Sequence, residues 1–239
     1  MKPFHLLAET LTPDGNKLSL YEHDGQMHLK LNGRALMSTN ATASEITLAE
    51  LACRDILPYD KPHVLIGGLG FGYTLKRVLE LVGPEARVQV AELLPEVVAW
   101  NREFLRSVNG ELLDDSRVEV SVDDVCNVIN HAPNATYDAI MLDVDNGPIA
   151  MVHESNSRLY YQSGFERILR ILKPQGVVTF WSANRDQPFV KRLEKAGFDV
   201  EVCGAKAYPK AKRPTHTIFV ATRTKKADQA ALMRATAVP

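Results

Sequence analysis

The chain has 239 residues, 45% of them hydrophobic and 24% charged, with 14 glycines and 13 prolines. That is the composition of a globular protein with a full-sized core, and it excludes collagenous, low-complexity and disordered chains. A formal net charge of −1 removes any global basic field that would gather nucleic acid or an anionic membrane, and no apolar run approaches the roughly 18 residues that a membrane span needs.

The opening MKPFHLLAETLTPDG has one lysine followed by acidic and polar residues, unlike the apolar core of a secretory leader. Cys53, Cys126 and Cys203 lie far apart and make no C-x-x-C or Cys/His cluster, so no metal site is expected and a reducing cytoplasm is. Up to about Ser38 the text alternates with period two. Leu18 and Leu20, then Met27, Leu29 and Leu31, share a face, with Asp24-Gly25 and Asn32-Gly33 as hairpin turns. This predicts a small β-hairpin or meander domain over residues 1–43. Residues 44–57 switch to helical spacing, with Ser44 as cap and Ile46, Leu48, Leu51, Ala52 and Ile56 as apolar positions, which predicts a linker helix within 44–60.

From His63 the chain alternates strand-like runs (HVLIGG, RVQVAE, RVEVSV, YDAIMLDV, GVVTFWS, FDVEVC, HTIFVAT) with amphipathic helical runs (TLKRVLELV, PEVVAWNREFLRSV, LYYQSGFERILRIL, PFVKRLEKAG). The expected fold class is α/β. A Rossmann-like, methyltransferase-type sheet of seven strands with helices on both faces occupies 61–223 and is closed by an antiparallel hairpin. The polar tail 224–239 is expected to be loosely held.

The candidate site lies along the carboxyl ends of these strands. In VLIGGLGFGYT, Gly67, Gly68, Gly70 and Gly72 let a ligand approach the backbone where a helix presents free N–H groups. A tight strand-to-helix corner would look the same. Glu92 ends the next strand twenty positions after Gly72, where a carboxylate accepts both hydroxyls of a ribose. A third strand ends in Asp123-Asp124-Val125. There Asp124 with Val125 could read an adenine, although either acid could instead cap the following helix, Asp123 being favoured for that. The sequence has no G-x-x-x-x-G-K-[ST] lysine and no arginine just after Glu92, which favours adenosine with a sulfonium tail over a dinucleotide such as NAD. The fourth strand delivers Asp143 and Asp145, which could orient an amine and accept its proton as it attacks an electrophilic carbon. If extension continues they face opposite sides, so the Asn-Gly-Pro turn must redirect Asp145. Asp145 could equally satisfy loop N–H groups.

Taken in order, LKLNGRALMS, SEITLAELA, GGLGFG, VAEL, VDDV, YDAIMLDVDNGP, LYYQ and the late AYP loop resemble the spermidine synthase (polyamine aminopropyltransferase) family over most of the chain. The resemblance implies a β-stranded N-terminal domain before a nucleoside-binding transferase core, a thioether nucleoside product and a homodimer. It implies that Glu92 holds the ribose, Asp124 the adenine amino group, and Asp143 helps deprotonate an attacking amine. Tyr160 or Tyr161, and Tyr208, would line the acceptor side; tyrosines filling core edges would fit as well. The partner is then a small amine acceptor, with no nucleic acid or membrane. The donor is decarboxylated S-adenosylmethionine, or S-adenosylmethionine itself.

This chain departs from the family pattern in four places. Leu69, Gly70 and Phe71 stand where family synthases place a turn acid for the donor's propylamine. Leu48-Ala49 replaces a Tyr-His pair, the acidic loop is shortened, and Lys210, Lys212 and Arg213 follow Tyr208. Three cations close by would repel a polyamine, unless they point to solvent. Loss of the turn acid keeps methyl or other alkyl transfer from intact S-adenosylmethionine open. A nicotinamide oxidoreductase and a non-catalytic nucleoside-binding scaffold also remain open.

Overall fold

In the computed structural model, residues 3–144 and 158–224 are described. Asp145 and nearly all of the tail lie outside them. The first four strands, β1 (His5–Leu11), β2 (Lys17–His23), β3 (Gln26–Leu31) and β4 (Arg34–Ser38), form an antiparallel sheet in sequential order. Its two tight turns use the residues the sequence offers. Asp24-Gly25 and Asn32-Gly33 all adopt positive φ, between 49° and 78°, a conformation that Gly, Asn and Asp tolerate and that matches the twist of the flanking strands. Leu18, Leu20, Leu29 and Leu31 are buried and join the same core as the central strands of the second sheet.

Helix α1 (Ala43–Cys53) follows. Its N-cap is Thr42 rather than Ser44, and no side chain caps it. The Ser44 hydroxyl instead donates to Glu45. Leu48, Ala49, Ala52 and Cys53 are buried, because α1 packs against α2 (Tyr73–Leu81) as well as against the second sheet.

That sheet has seven strands: β5 (His63–Gly67), β6 (Arg87–Glu92), β7 (Val118–Val122), β8 (Tyr137–Leu142), β9 (Leu172–Ser182), β10 (Phe198–Ala205) and β11 (His216–Arg223). Their spatial order is β10-β11-β9-β8-β5-β6-β7. The closing hairpin has the expected antiparallel pairing, but it folds inward: β11 lies between β9 and β10 and runs against both. Strands β5 and β8 are almost wholly buried, as continuous apolar runs covered on both faces must be, and each fully buried Val, Leu or Ile there contributes roughly 1.5–3 kcal/mol. The remaining helices are α3 (Pro95–Glu103), α4 (Arg106–Asn109), α5 (Val125–His131), α6 (Gln162–Ile171) and α7 (Gln187–Ala196). The single helix expected over 95–108 is broken into α3 and α4 around Phe104 and Leu105.

The topology fixes where a ligand can sit. The chain steps outward from β5 through β6 to β7, then returns to place β8 on the other side of β5. Helices leave these strands in opposite directions at the β5/β8 boundary and open a crevice at the strands' carboxyl ends.

Candidate functional site

A cavity of about 590 Å³ occupies that crevice and extends under the N-terminal sheet. Gly68, Gly70, Glu92, Asp124, Val125 and Asp143 all face it, so the strand ends marked in the sequence converge on one space. Tyr208 lines it as well, together with Trp181 and His216 from the β9 and β11 side.

The glycine turn is held from both sides. Gly68 has φ +90°, and a Cβ there would lie 2.5 Å from the Asp143 carbonyl oxygen, so both backbone conformation and space require glycine. Across the same gap the Asp143 N–H donates to the Gly67 carbonyl at 3.0 Å. Gly67 and Gly72 do not line the cavity: a Cβ on Gly67 would press on Val125 and Leu142, and Gly72, at φ +80°, is the N-cap of α2. On the far side Asn101 Nδ2 donates to the Gly70 carbonyl at 2.8 Å. Asn109 Nδ2 donates to the Phe71 carbonyl at 3.2 Å and to Asn101 Oδ1 at 2.6 Å. The α3/α4 break is what brings Asn109 to the turn.

Glu92 is buried, and each of its oxygens is occupied: Oε2 accepts from the Leu69 N–H at 2.9 Å and Oε1 from the Leu94 N–H at 3.0 Å. Burial pushes its pKa above the usual carboxylate value, and the surrounding backbone N–H groups pull in the other direction. Each oxygen keeps a second lone pair for a ligand hydroxyl.

Asp124, not Asp123, is the N-cap of α5, its Oδ1 accepting from the Cys126 N–H at 2.8 Å. Asp123 Oδ1 instead accepts from the Asp124 N–H and from Asn127 Nδ2. The preference for Asp123 as the cap is thereby reversed, and the capping acid is also the one at the cavity.

Asp143 follows the last residue of β8, beside the glycine turn. Its pKa is pushed up to about 8, first by burial and then by the negative charge of Glu45. Glu45 was not singled out from the sequence. It lies in the first turn of α1, is buried, lines the cavity, and is likewise raised by burial, with the Ser44 hydroxyl bond at 2.6 Å opposing. Asp143 and Glu45 are thus two acids in one enclosure.

Two expected tyrosines are not part of the cavity wall. Tyr160 is buried with its ring 6.0 Å from that of Phe180 and 5.8 Å from that of Phe189, inside the core under α6 and α7. Tyr161 is 57% exposed at the N-cap of α6. The helical run begins at Gln162 rather than Leu159, which turns Tyr160 into the core. Lys210, Lys212 and Arg213 are exposed and do not line the cavity, so the bland reading of that loop holds.

Residues 51–208 match the model of the spermine/spermidine synthase domain, more than half of the chain. The protein belongs to this family. The polyamine aminopropyltransferase of Prochlorococcus marinus strain MIT 9301 is 28% identical over 119 residues, which is 50% of this chain and 40% of that protein. The Mycobacterium tuberculosis enzyme of the same name is 34% identical over 117 residues, 48% of this chain and 21% of its own length. These matches span well under half of the relatives' lengths. Among solved structures, spermidine synthase from Thermotoga maritima superposes with a TM-score of 0.71 at 17% identity, covering 94% of this chain and 75% of that one. A spermidine synthase in complex with the transition-state analogue AdoDATO gives 0.75, also at 17% identity, covering 94% and 76%. At that identity the likeness is one of fold. The seven-stranded sheet behind a four-stranded antiparallel sheet is therefore the family's architecture. Among the described residues there is no group of His, Cys, Asp and Glu able to hold a metal ion, and no helix long and apolar enough to cross a membrane.

Proposed function

We propose that this protein transfers an alkyl group, aminopropyl in the family's reaction, from a sulfonium nucleoside to a small amine. The observation that carries the reading is that one cavity collects Gly68, Gly70, Glu92, Asp124 and Asp143, in a chain whose family model covers all five. Glu92 would accept the ribose hydroxyls with its remaining lone pairs, and the turn it braces would bring the backbone against the nucleoside. Asp124, with Val125 beneath it, would meet the adenine edge. Asp143 would orient the amine and take its proton, a role supported by its place one strand from the glycine turn. Asp145, which the strand-end reading offered as a partner in this step, lies outside the described residues. Tyr208 would contribute to the acceptor wall. The family reading also implies a homodimer, and the three free cysteines support a reducing, cytoplasmic setting.

The donor is the open half of the reading. Decarboxylated S-adenosylmethionine is the family's donor and the first choice. Methyl transfer from intact S-adenosylmethionine is the second reading, favoured by Gly70: it carries no acid, and a Cβ there would already be 2.8 Å from Met37 Cε, so a thioether covers the space. Calorimetric titration of the protein with both sulfonium donors and with their thioether products tests the assignment. Preference for the decarboxylated donor supports aminopropyl transfer, and preference for the intact one supports methyl transfer. Binding of none of the four would remove the transferase reading altogether.

A further inference from the structure

We propose that Glu45 is a second acid of the acceptor subsite, and that Glu45 and Asp143 together clasp one amine nitrogen between the first turn of α1 and the end of β8. This deepens the transferase reading and rests on it for the fate of the amine, although the clasp itself can be tested alone. Glu45 is buried and Asp143 half-buried, both line the same cavity, and they arrive from different elements. A buried acid on a packed helix is costly, and among the described residues no arginine or lysine acts on Glu45 to balance it. The other groups around it do not supply a cation either. Tyr73 on α2 has its phenol raised to about 12 by burial and by Glu45 itself. The imidazoles of His28 on β3 and His216 on β11, which line the same cavity, are both held below their usual value by burial and stay neutral at pH 7. Glu92, Asp124 and Tyr208 complete the titratable lining. An ammonium group entering from solvent is the missing counter-charge.

With burial raising both acids, the charge of Glu45 acting on Asp143 and Asp143 standing near 8, the pair holds one proton at neutral pH. Arrival of R–NH₃⁺ favours the doubly ionised pair, and that proton leaves to solvent. For transfer, the pair takes one proton back from the ammonium and leaves R–NH₂. Its lone pair forms the new N–C bond as the C–S bond breaks, and the bonding electrons depart with sulfur as a neutral thioether. The product leaves as a secondary ammonium, and the pair, holding the proton it took, is back in its singly protonated resting state.

The test uses the whole chain saturated with 5′-methylthioadenosine and titrated at pH 7 with 1,4-diaminobutane, in two buffers of different ionisation enthalpy. Wild type is expected to release about one proton per amine bound. Glu45→Gln is expected to release measurably less, since burial alone then holds Asp143 up, and to bind the amine at least tenfold more weakly, with Glu45→Asp recovering part of both. The nucleoside affinity should be the same in all three. Amine binding without proton release in wild type, or equal release in Glu45→Gln, overturns the proposal. If Glu45→Gln does not fold, the wild-type proton count decides. Binding of the nucleoside but of no amine sinks the clasp and leaves the nucleoside site standing. Amine binding with proton release but no nucleoside binding sinks the transferase reading and leaves the clasp.

Discussion

Strand β8 has an aspartate at each end, one buried and one half-buried, and the two are differently treated. Asp138, the second residue of the strand, is buried, accepts the His63 N–H at 2.7 Å and pairs with Lys173 at 2.6 Å. Asp143, one residue past the strand, opens onto the cavity, and the charge acting on it is another acid. The amino-terminal end of the sheet compensates its carboxylate with groups of the protein itself, whereas among the described residues no cation acts on the one at the carboxyl end. Under the proposed function, that contrast would separate an acid kept for stability from one kept for chemistry.

The contrast breaks first at Asp143. Asp143→Asn keeps the shape and removes the charge, and single-turnover transfer with saturating donor is expected to fall by on the order of 10² or more, the range for a lost general base, with donor affinity within about threefold of wild type. Unchanged turnover would move the role to Asp145. At the opposite end, Asp138→Ala strips a backbone N–H and a lysine of their partner. Denaturant melts should show a loss of about 2–3 kcal/mol while nucleoside affinity stays level; an affinity loss there would erase the distinction between the two ends. Glu92 tests whether a residue can belong to both categories. Glu92→Ala should weaken nucleoside binding by about 1.5–3 kcal/mol. Because Glu92 also ties Leu69 to Leu94, the same change should lower stability in denaturant melts.

The pH dependence of stability sharpens the comparison further. The folded-state pKa of Asp143 is raised above the unfolded value, so between about pH 4 and 8 the folded chain holds a proton the unfolded chain has lost. The contribution of this one group to unfolding free energy therefore declines as pH rises, by at most about 1.4 kcal/mol per unit, and levels off above 8. Ligand-free Asp143→Asn should thus match wild type near pH 4 and exceed it increasingly towards pH 8 in thermal melts. A gap that narrows with pH would contradict the burial of this acid. The smallest expected effect concerns the ligand: NAD(H) should bind at least tenfold, or about 1.4 kcal/mol, more weakly than the best adenosyl donor or thioether product.

What the sequence disclosed was whatever ends a strand. A parallel sheet gathers the residues after each strand onto one edge, so Glu92, Asp124 and Asp143 could be brought together from text alone. Residues that reach the site from elsewhere left no such mark. Glu45 follows a serine at the head of a helix, where an acid ordinarily faces water and favours the helix dipole, and no periodicity reveals that α1 is covered there. Asn101 read as a polar position of one amphipathic helix and Asn109 as the residue just past its end, and only the break after α3 shows that they grip the glycine turn. Tyr160 misled because its role depended on where α6 begins, and helix starts are set by local capping competition that differs by a residue or two.

The inward fold of the last hairpin also orders the birth of the molecule. Strands β5, β6 and β7, which frame Glu92 and the glycine turn, are consecutive in the chain and can pair as soon as residues 63–122 exist. The wall that carries Trp181, Tyr208 and His216 closes only when β11 is threaded between β9 and β10, its long-range partners on either side. A nascent chain leaving the ribosome can therefore form the β5-β6-β7 side of its crevice before the opposite wall, and until β11 arrives β9 has an open edge and β10 no strand partner.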